Sequence, residues 1–251
     1  MFKAGLVSVS FRGLSVEEIA ALCHDCGLSF VEWGSDIHAP CDDMDKLHRI
    51  ARLQGEWGIR CASYGTYFRI GTHPTEALYH YIEAARVLGT NILRLWCGAK
   101  NYEDMTADER AHIISEAQKA AAIAEREGVT LCMECHHHTF TSCAEGALAL
   151  MTAVSSKHVR MYWQPNQFKS ESENLKAARL LAPYTQNIHV FHWDAARRYP
   201  LNEGREVWAR YLSAFDGTQT LLLEFMPDDA PASLSVEAET LRQLVKGDLI
   251  S

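Results

Sequence analysis

The stretch Val129-Thr130-Leu131-Cys132-Met133-Glu134-Cys135-His136-His137-His138-Thr139 starts as an apolar run and ends on a carboxylate and three imidazoles. Aliphatic and thiol side chains up to Met133 suit a strand buried on both faces. Glu134 falls where such a strand would leave the core. A carboxylate there, with imidazoles behind it, is the composition of a metal or acid–base site at the mouth of a parallel barrel.

Strand-like and helix-like segments alternate outward from this run in both directions. Upstream, Phe2–Ser8, Leu28–Gly34, Gly58–Tyr64 and Asn91–Trp96 read as strands; downstream, Val159–Gln164, Asn187–Trp193 and Thr220–Phe225 do so. Helical patterns fill the gaps, and two open with capping boxes, Ser15-Val16-Glu17-Glu18 and Thr106-Ala107-Asp108-Glu109. Eight strand–helix units in series, each parallel strand needing a crossover helix, is the count that closes a ring. No G-x-G-x-x-G turn follows the first strand, as a dinucleotide-binding open sheet would require. The expected fold is α/β, a single (β/α)8 TIM barrel spanning 1–251.

Composition narrows the function classes. The chain of 251 residues is 47% hydrophobic and 22% charged, with a formal net charge of −8. An acidic protein with no run of Lys/Arg longer than two repels nucleic acid. No apolar stretch approaches the roughly 20 residues needed to cross a bilayer. The N-terminus enters a strand directly, without a signal-peptide pattern, so a cytoplasmic protein is expected. Two Cys-x-x-Cys pairs, Cys23/Cys26 and Cys132/Cys135, are too far apart for a zinc ribbon. The eight cysteines are expected to be free thiols.

In this fold the site is built at the C-terminal strand ends. Polar and titratable residues collect there: Trp33 and His38 after the second strand, Tyr64 and Arg69 after the third, Arg94 and Trp96 on the fourth. The later strands supply Glu134 and His136, then Gln164 and Gln167, then His189, His192 and Trp193, and finally Glu224. Four tryptophans, Trp33, Trp96, Trp163 and Trp193, suggest an aromatic rim for the C–H faces of a sugar or polyol, or else simple capping of the core. Glu134, Gln164, His189 and Glu224, on strands five to eight, could hold one divalent cation: manganese, magnesium, cobalt or zinc. Such a cation can bind vicinal sugar oxygens and ease enolate formation, while the two glutamates move a proton beside a carbonyl. Arg69, Arg94 and Arg198 could hold a phosphate or carboxylate, or form ordinary ion pairs.

With these residues in place, the chain resembles the sugar phosphate isomerase/epimerase superfamily, the xylose isomerase-like barrels. The resemblance runs through VEWGSDIHAP (31–40), SYGTYFRIG (63–71), LRLWCG (93–98), LCMECHHHT (131–139), YWQPNQ (162–167), NIHVFHWD (187–194), PLNEG (200–204) and LLLEF (221–225). It implies that Glu134 and Glu224 are the metal-binding, proton-transferring pair. His189 becomes the strand-seven ligand, with His192 the competing choice, and His136 and His38 line the substrate pocket. The chain departs from the family pattern on strand six, where Gln164 stands at the usual aspartate and Gln167 at the usual histidine. An amide oxygen coordinates without bringing charge, so metal affinity should fall.

The leading expectation is a metal-dependent isomerase or epimerase of a sugar, sugar phosphate or hydroxy-keto acid. A dehydratase acting on a cyclitol or sugar acid uses the same enolate chemistry, and a catalytically silent sugar binder stands as the reading from another class. A homo-oligomer is left open, since dimers are common in such a family.

Overall fold

The computed structural model describes residues 1–247; residues 248–251, which the expected domain 1–251 includes, lie outside the described residues. Eight parallel strands close a barrel in sequence order. They are β1 (Lys3–Val7), β2 (Phe30–Gly34), β3 (Arg60–Ile70), β4 (Ile92–Cys97), β5 (Thr130–Glu134), β6 (Val159–Trp163), β7 (Thr185–Val190) and β8 (Thr220–Leu223). Between and after them run α1 (Val16–Asp25), α2 (Met44–Trp57), α3 (Leu78–Val87), α4 (Ala107–Glu127), α5 (Ala144–Val154), α6 (Glu171–Leu181), α7 (Arg205–Leu212) and α8 (Leu234–Lys246). The last strand returns to the first, with Lys3 opposite Thr220 and Leu6 opposite Leu223. The fold is the expected (β/α)8 barrel.

Local chemistry explains the helix starts. The Ser15 and Thr106 side chains each accept the N–H three residues on, and Glu18 and Glu109 reach back to the cap. Ser170 and Glu173 make a third such box at the start of α6. All eight cysteines are free. No helix among the described residues is long and apolar enough to cross a membrane.

Strand residues alternate between two cores. Phe30, Cys132, Tyr162 and Leu222 pack with one another inside the barrel. Val31, Trp33, Tyr64, Met133 and Trp163 belong instead to the larger core between sheet and helices. Two strand ends differ from the sequence expectation. β3 runs six residues beyond Tyr64, with an irregularity in its pairing to β4 between Gly65 and Arg69. β7 stops at Val190, so His192 and Trp193 lie in the following loop.

Candidate functional site

Alternation along β5 and β7 turns Glu134 and His189 inward at the mouth of the barrel. Glu224 follows the last residue of β8, its N–H bonded to Val190 O at 3.0 Å. Phe225 then takes a left-handed backbone (φ 54°), uncommon for a non-glycine residue. Its N–H donates to Ser10 Oγ at 2.9 Å. That turn follows the strand end, with the Glu224 carboxylate 3.4 Å from His189 Nδ1.

His189 Nδ1 is the centre of the cluster. It lies 3.5 Å from Glu134 Oε1, 3.4 Å from Glu224 Oε2 and 2.8 Å from Gln164 Oε1. One donor atom each of Glu134, His189 and Glu224 falls within 4.8 Å of the others, all three residues being buried. The second oxygen of Glu134 is occupied: Oε2 accepts from Trp96 Nε1 at 2.7 Å and pairs with Arg94 Nη1 at 3.1 Å.

Beneath this cluster lies a charge that sequence reasoning missed, Glu32 on β2. It is fully buried, accepts from Ser63 Oγ at 2.8 Å and from Arg94 Nε at 3.1 Å, and its Oε1 stands 3.7 Å from His189 Nε2. Arg94, 3% exposed, therefore bridges two carboxylates inside the barrel. The pair has room only because residue 65 is glycine. A Cβ there would sit 2.7 Å from Glu32 Oε1 and 3.0 Å from Arg94 Nη2. Neither side chain is free to swing, since each is held on more than one side. Alanine at 65 is thus expected to destabilise the fold by about 1–3 kcal/mol, as overpacked cores do. Chemical denaturation of Gly65→Ala reads this directly, and an unchanged midpoint would show the pair has slack.

These neighbours set the protonation pattern. Burial pushes Glu32 up, but Arg94 and His189 outweigh it and hold the carboxyl at about 2. Glu134 likewise ends well below the usual carboxylate range, burial being overcome chiefly by Arg94. Glu224 has no such partner. Burial, with Glu134 and Glu32 nearby, pushes it up to about 7 against the pull of His189 and Arg94. The imidazole of His189 resists charging because it is buried, yet the surrounding carboxylates raise it to about 10. Among the protein's own charges, then, Glu32 and Glu134 stay ionised while Glu224 is raised toward neutrality.

A cavity of about 110 Å³ opens above these groups. Glu134, Gln164 and Glu224 reach it from below, His136 and Gln167 line it, and Trp193 stands in its aromatic wall with Phe191 and Phe225. Trp96, expected in the pocket, does not line the cavity; it lies between Tyr67, edge-on, and His136, tilted, with ring centroids at 5.0 and 5.3 Å. Phe168, 66% exposed at the rim, and His137 also line the cavity and carried no sequence signal beyond their loop position.

Other expected pocket residues lie elsewhere. Trp33 faces the helices and donates to Gln54 Oε1 at 3.0 Å, because its neighbour Glu32 takes the inward side. Tyr64 also points outward, its hydroxyl donating to Ala39 O at 2.5 Å. His38 is buried between Ser8 Oγ (3.1 Å) and Leu14 O (3.2 Å), and burial lowers its pKa. His192 packs against Tyr199 and Gly204 rather than the cluster, which leaves His189 as the imidazole beside the two glutamates. The three arginines are all engaged within the protein. Arg69 donates to Gly98 O and His138 O and stacks on Trp96. Arg198 pairs with Asp229 and lies over Trp193 and Phe225. Arg94 is committed to Glu32 and Glu134.

The donor set fits a divalent cation: carboxylate oxygens of Glu134 and Glu224, the amide oxygen of Gln164 and the imidazole nitrogen of His189. With a cation bound and the imidazole neutral, three carboxylates (Glu32, Glu134 and Glu224) would face one guanidinium, a net of two negative charges that a dication would balance.

Comparison with solved structures finds the same barrel in proteins of low identity. The probable 3-DHS dehydratase AsbF of Bacillus anthracis superposes with a TM-score of 0.81 at 17% identity, covering 96% of this chain and 99% of that one. A D-psicose 3-epimerase from Clostridium cellulolyticum H10, solved with D-tagatose, gives 0.77 at 12% identity over the whole of both chains. A xylose isomerase-like protein from Mycobacterium smegmatis, in complex with magnesium, gives 0.73 at 12% identity, covering 100% of this chain and 98% of that one. No curated protein sequence matches this chain. Residues 20–244 match the family described as Xylose isomerase-like TIM barrel, which takes in every strand from β2 to β8 and the whole cluster around His189. The chain belongs to that family.

Proposed function

We propose that the chain is a metal-dependent isomerase or epimerase that moves a proton beside the carbonyl of a small, uncharged ketose or polyol-derived ketone. The observation carrying this reading is the convergence of Glu134 and Glu224 on His189 Nδ1, at 3.5 and 3.4 Å, with only Glu134 held by both Trp96 and Arg94. Unequal environments on two carboxylates are how one site supplies both a fixed charge and a proton-transfer group near pH 7. A divalent cation held by Glu134, Gln164, His189 and Glu224 would polarise the substrate carbonyl. Glu224 then takes the proton. In an isomerase it can return it to the adjacent carbon on the same face, whereas epimerisation needs Glu134, which Trp96 and Arg94 keep in place, to deliver the proton from the other face. Phe191, Trp193 and Phe225 offer apolar faces to the sugar's C–H side.

The absence of free cations argues for an uncharged substrate. Among the described residues the cavity is lined by no Lys or Arg, and Arg69, Arg94 and Arg198 already have partners. Apart from the cation itself, a phosphate or carboxylate would find no basic Lys or Arg side chain lining the cavity to pair it. The cavity is also well below the roughly 300–1,000 Å³ of sites for drug-sized ligands. A dehydratase would share the proton-abstraction step but must also expel hydroxide.

The test is incubation of the manganese-supplemented protein in heavy water with a panel of ketoses and their phosphates. Deuterium at the carbon beside the carbonyl is expected with the free sugars. Exchange confined to phosphorylated or carboxylated compounds, or loss of water instead of exchange, would overturn the assignment.

A further inference from the structure

We infer that Glu32 is a positioning residue that holds His189 with its Nε2 proton turned into the barrel, leaving Nδ1 free for the cation. The inference rests on the metal reading proposed above and adds a residue that touches neither substrate nor ion. His189 Nε2 is buried with no hydrogen-bond partner, one of two such side-chain atoms among the described residues. The carboxylate facing it is Glu32, whose Oε1 stands 3.7 Å away, just beyond hydrogen-bond reach. The other ring nitrogen faces Gln164, Glu134 and Glu224. A ligating histidine commonly gives its second N–H to a carboxylate, which fixes tautomer and ring orientation.

Several features show that Glu32 is built into this place. Its Oε2 is held by Ser63 and its Oε1 by Arg94, so the carboxylate cannot rotate away from His189. The same guanidinium grips Glu134, a second residue of the cluster. Gly65 makes the space for both. One buried carboxylate thus faces the ring of one donor, His189, and reaches a second, Glu134, through Arg94. A purely structural ion pair would have no reason to lie against the ring nitrogen opposite the donor cluster.

The experiment uses the full chain stripped with chelator. Mn2+ is titrated calorimetrically into wild type, Glu32→Gln and Glu32→Asp, and the zinc-loaded forms are examined for a downfield imidazole N–H proton resonance. Glu32→Gln is expected to weaken Mn2+ binding tenfold or more, in the range seen when the partner of a ligating histidine is removed. It should also abolish the low-field N–H signal that wild type shows. Glu32→Asp keeps the charge for Arg94 but draws the carboxylate back from His189. It is expected to show the same loss of signal, and it serves where the glutamine variant does not fold. If wild type binds and both variants match it within twofold with the resonance retained, Glu32 has no such role and the metal reading stands. If wild type itself binds no divalent cation, both fall.

Discussion

Glu224→Gln is expected to slow carbon–deuterium exchange by about 10²–10⁴-fold, the usual contribution of a general acid–base group. The substitution keeps the shape and an oxygen donor but removes the basic site. Glu134→Gln is expected to be as damaging for a different reason. Glu134 is the carboxylate that Arg94 and Trp96 hold in place, and its loss leaves a buried guanidinium with one partner fewer. Stability separates the two. Burial penalises the ionised form of Glu224, so in chelated protein at pH 8 a neutral glutamine should raise the melting temperature. At pH 5, where the wild-type side chain is already protonated, that gain should vanish. Glu134→Gln should lower it at both values, because its native carboxylate is stabilised. Measuring exchange, metal content and melting together therefore tells lost chemistry from lost fold. An exchange rate for Glu224→Gln within twofold of wild type would remove Glu224 from the mechanism.

The architecture was legible because its signals are local: apolar runs, capping boxes and glycine stops recur in step along the chain. Which strand face points inward was harder to read. A barrel strand is apolar on both sides, so the alternation that reveals orientation in a half-exposed sheet has little polarity contrast. Trp33 and Tyr64 looked like pocket residues because they stand at strand ends, yet both face the helices. The one usable marker was the lone charge in Phe30-Val31-Glu32-Trp33-Gly34. A buried carboxylate needs partners, and the inward side is where Ser63 and Arg94 supply them. Those partners lie 31 and 62 residues away, beyond any local pattern. The same pairing explains Arg94, which in sequence is indistinguishable from an anion-binding arginine. It also changes the meaning of Gln164. An amide where the resemblance leads one to expect aspartate looks like a lost charge, but the buried Glu32 contributes to the field around the same histidine.

Removing metal should make stability fall as pH rises from 6 to 10, and adding it should reverse the fall. The signs follow from the two raised groups. Glu224 goes from an ordinary value of 4.5 to about 7, so the folded protein binds more proton than the unfolded chain between those values. His189, raised from 6.5 to about 10, does the same at higher pH. Each contributes stability that is complete below its unfolded value and lost as pH climbs through its folded one. Glu32 and Glu134 work oppositely, but their losses come only in acid, below about 4.5. One extra bound proton corresponds to a slope on the order of 1 kcal/mol per pH unit, or a few degrees in melting temperature for a chain of this size. A divalent cation needs neutral His189 and ionised Glu224, so it competes with these protons for the same atoms. At a fixed hundredfold excess over its dissociation constant it adds about 3 kcal/mol. With total Mn2+ held constant, the melting shift should therefore be small at pH 6 and several degrees larger at pH 8.5. A shift that is flat across this range would mean that the cation binds away from the His189 cluster.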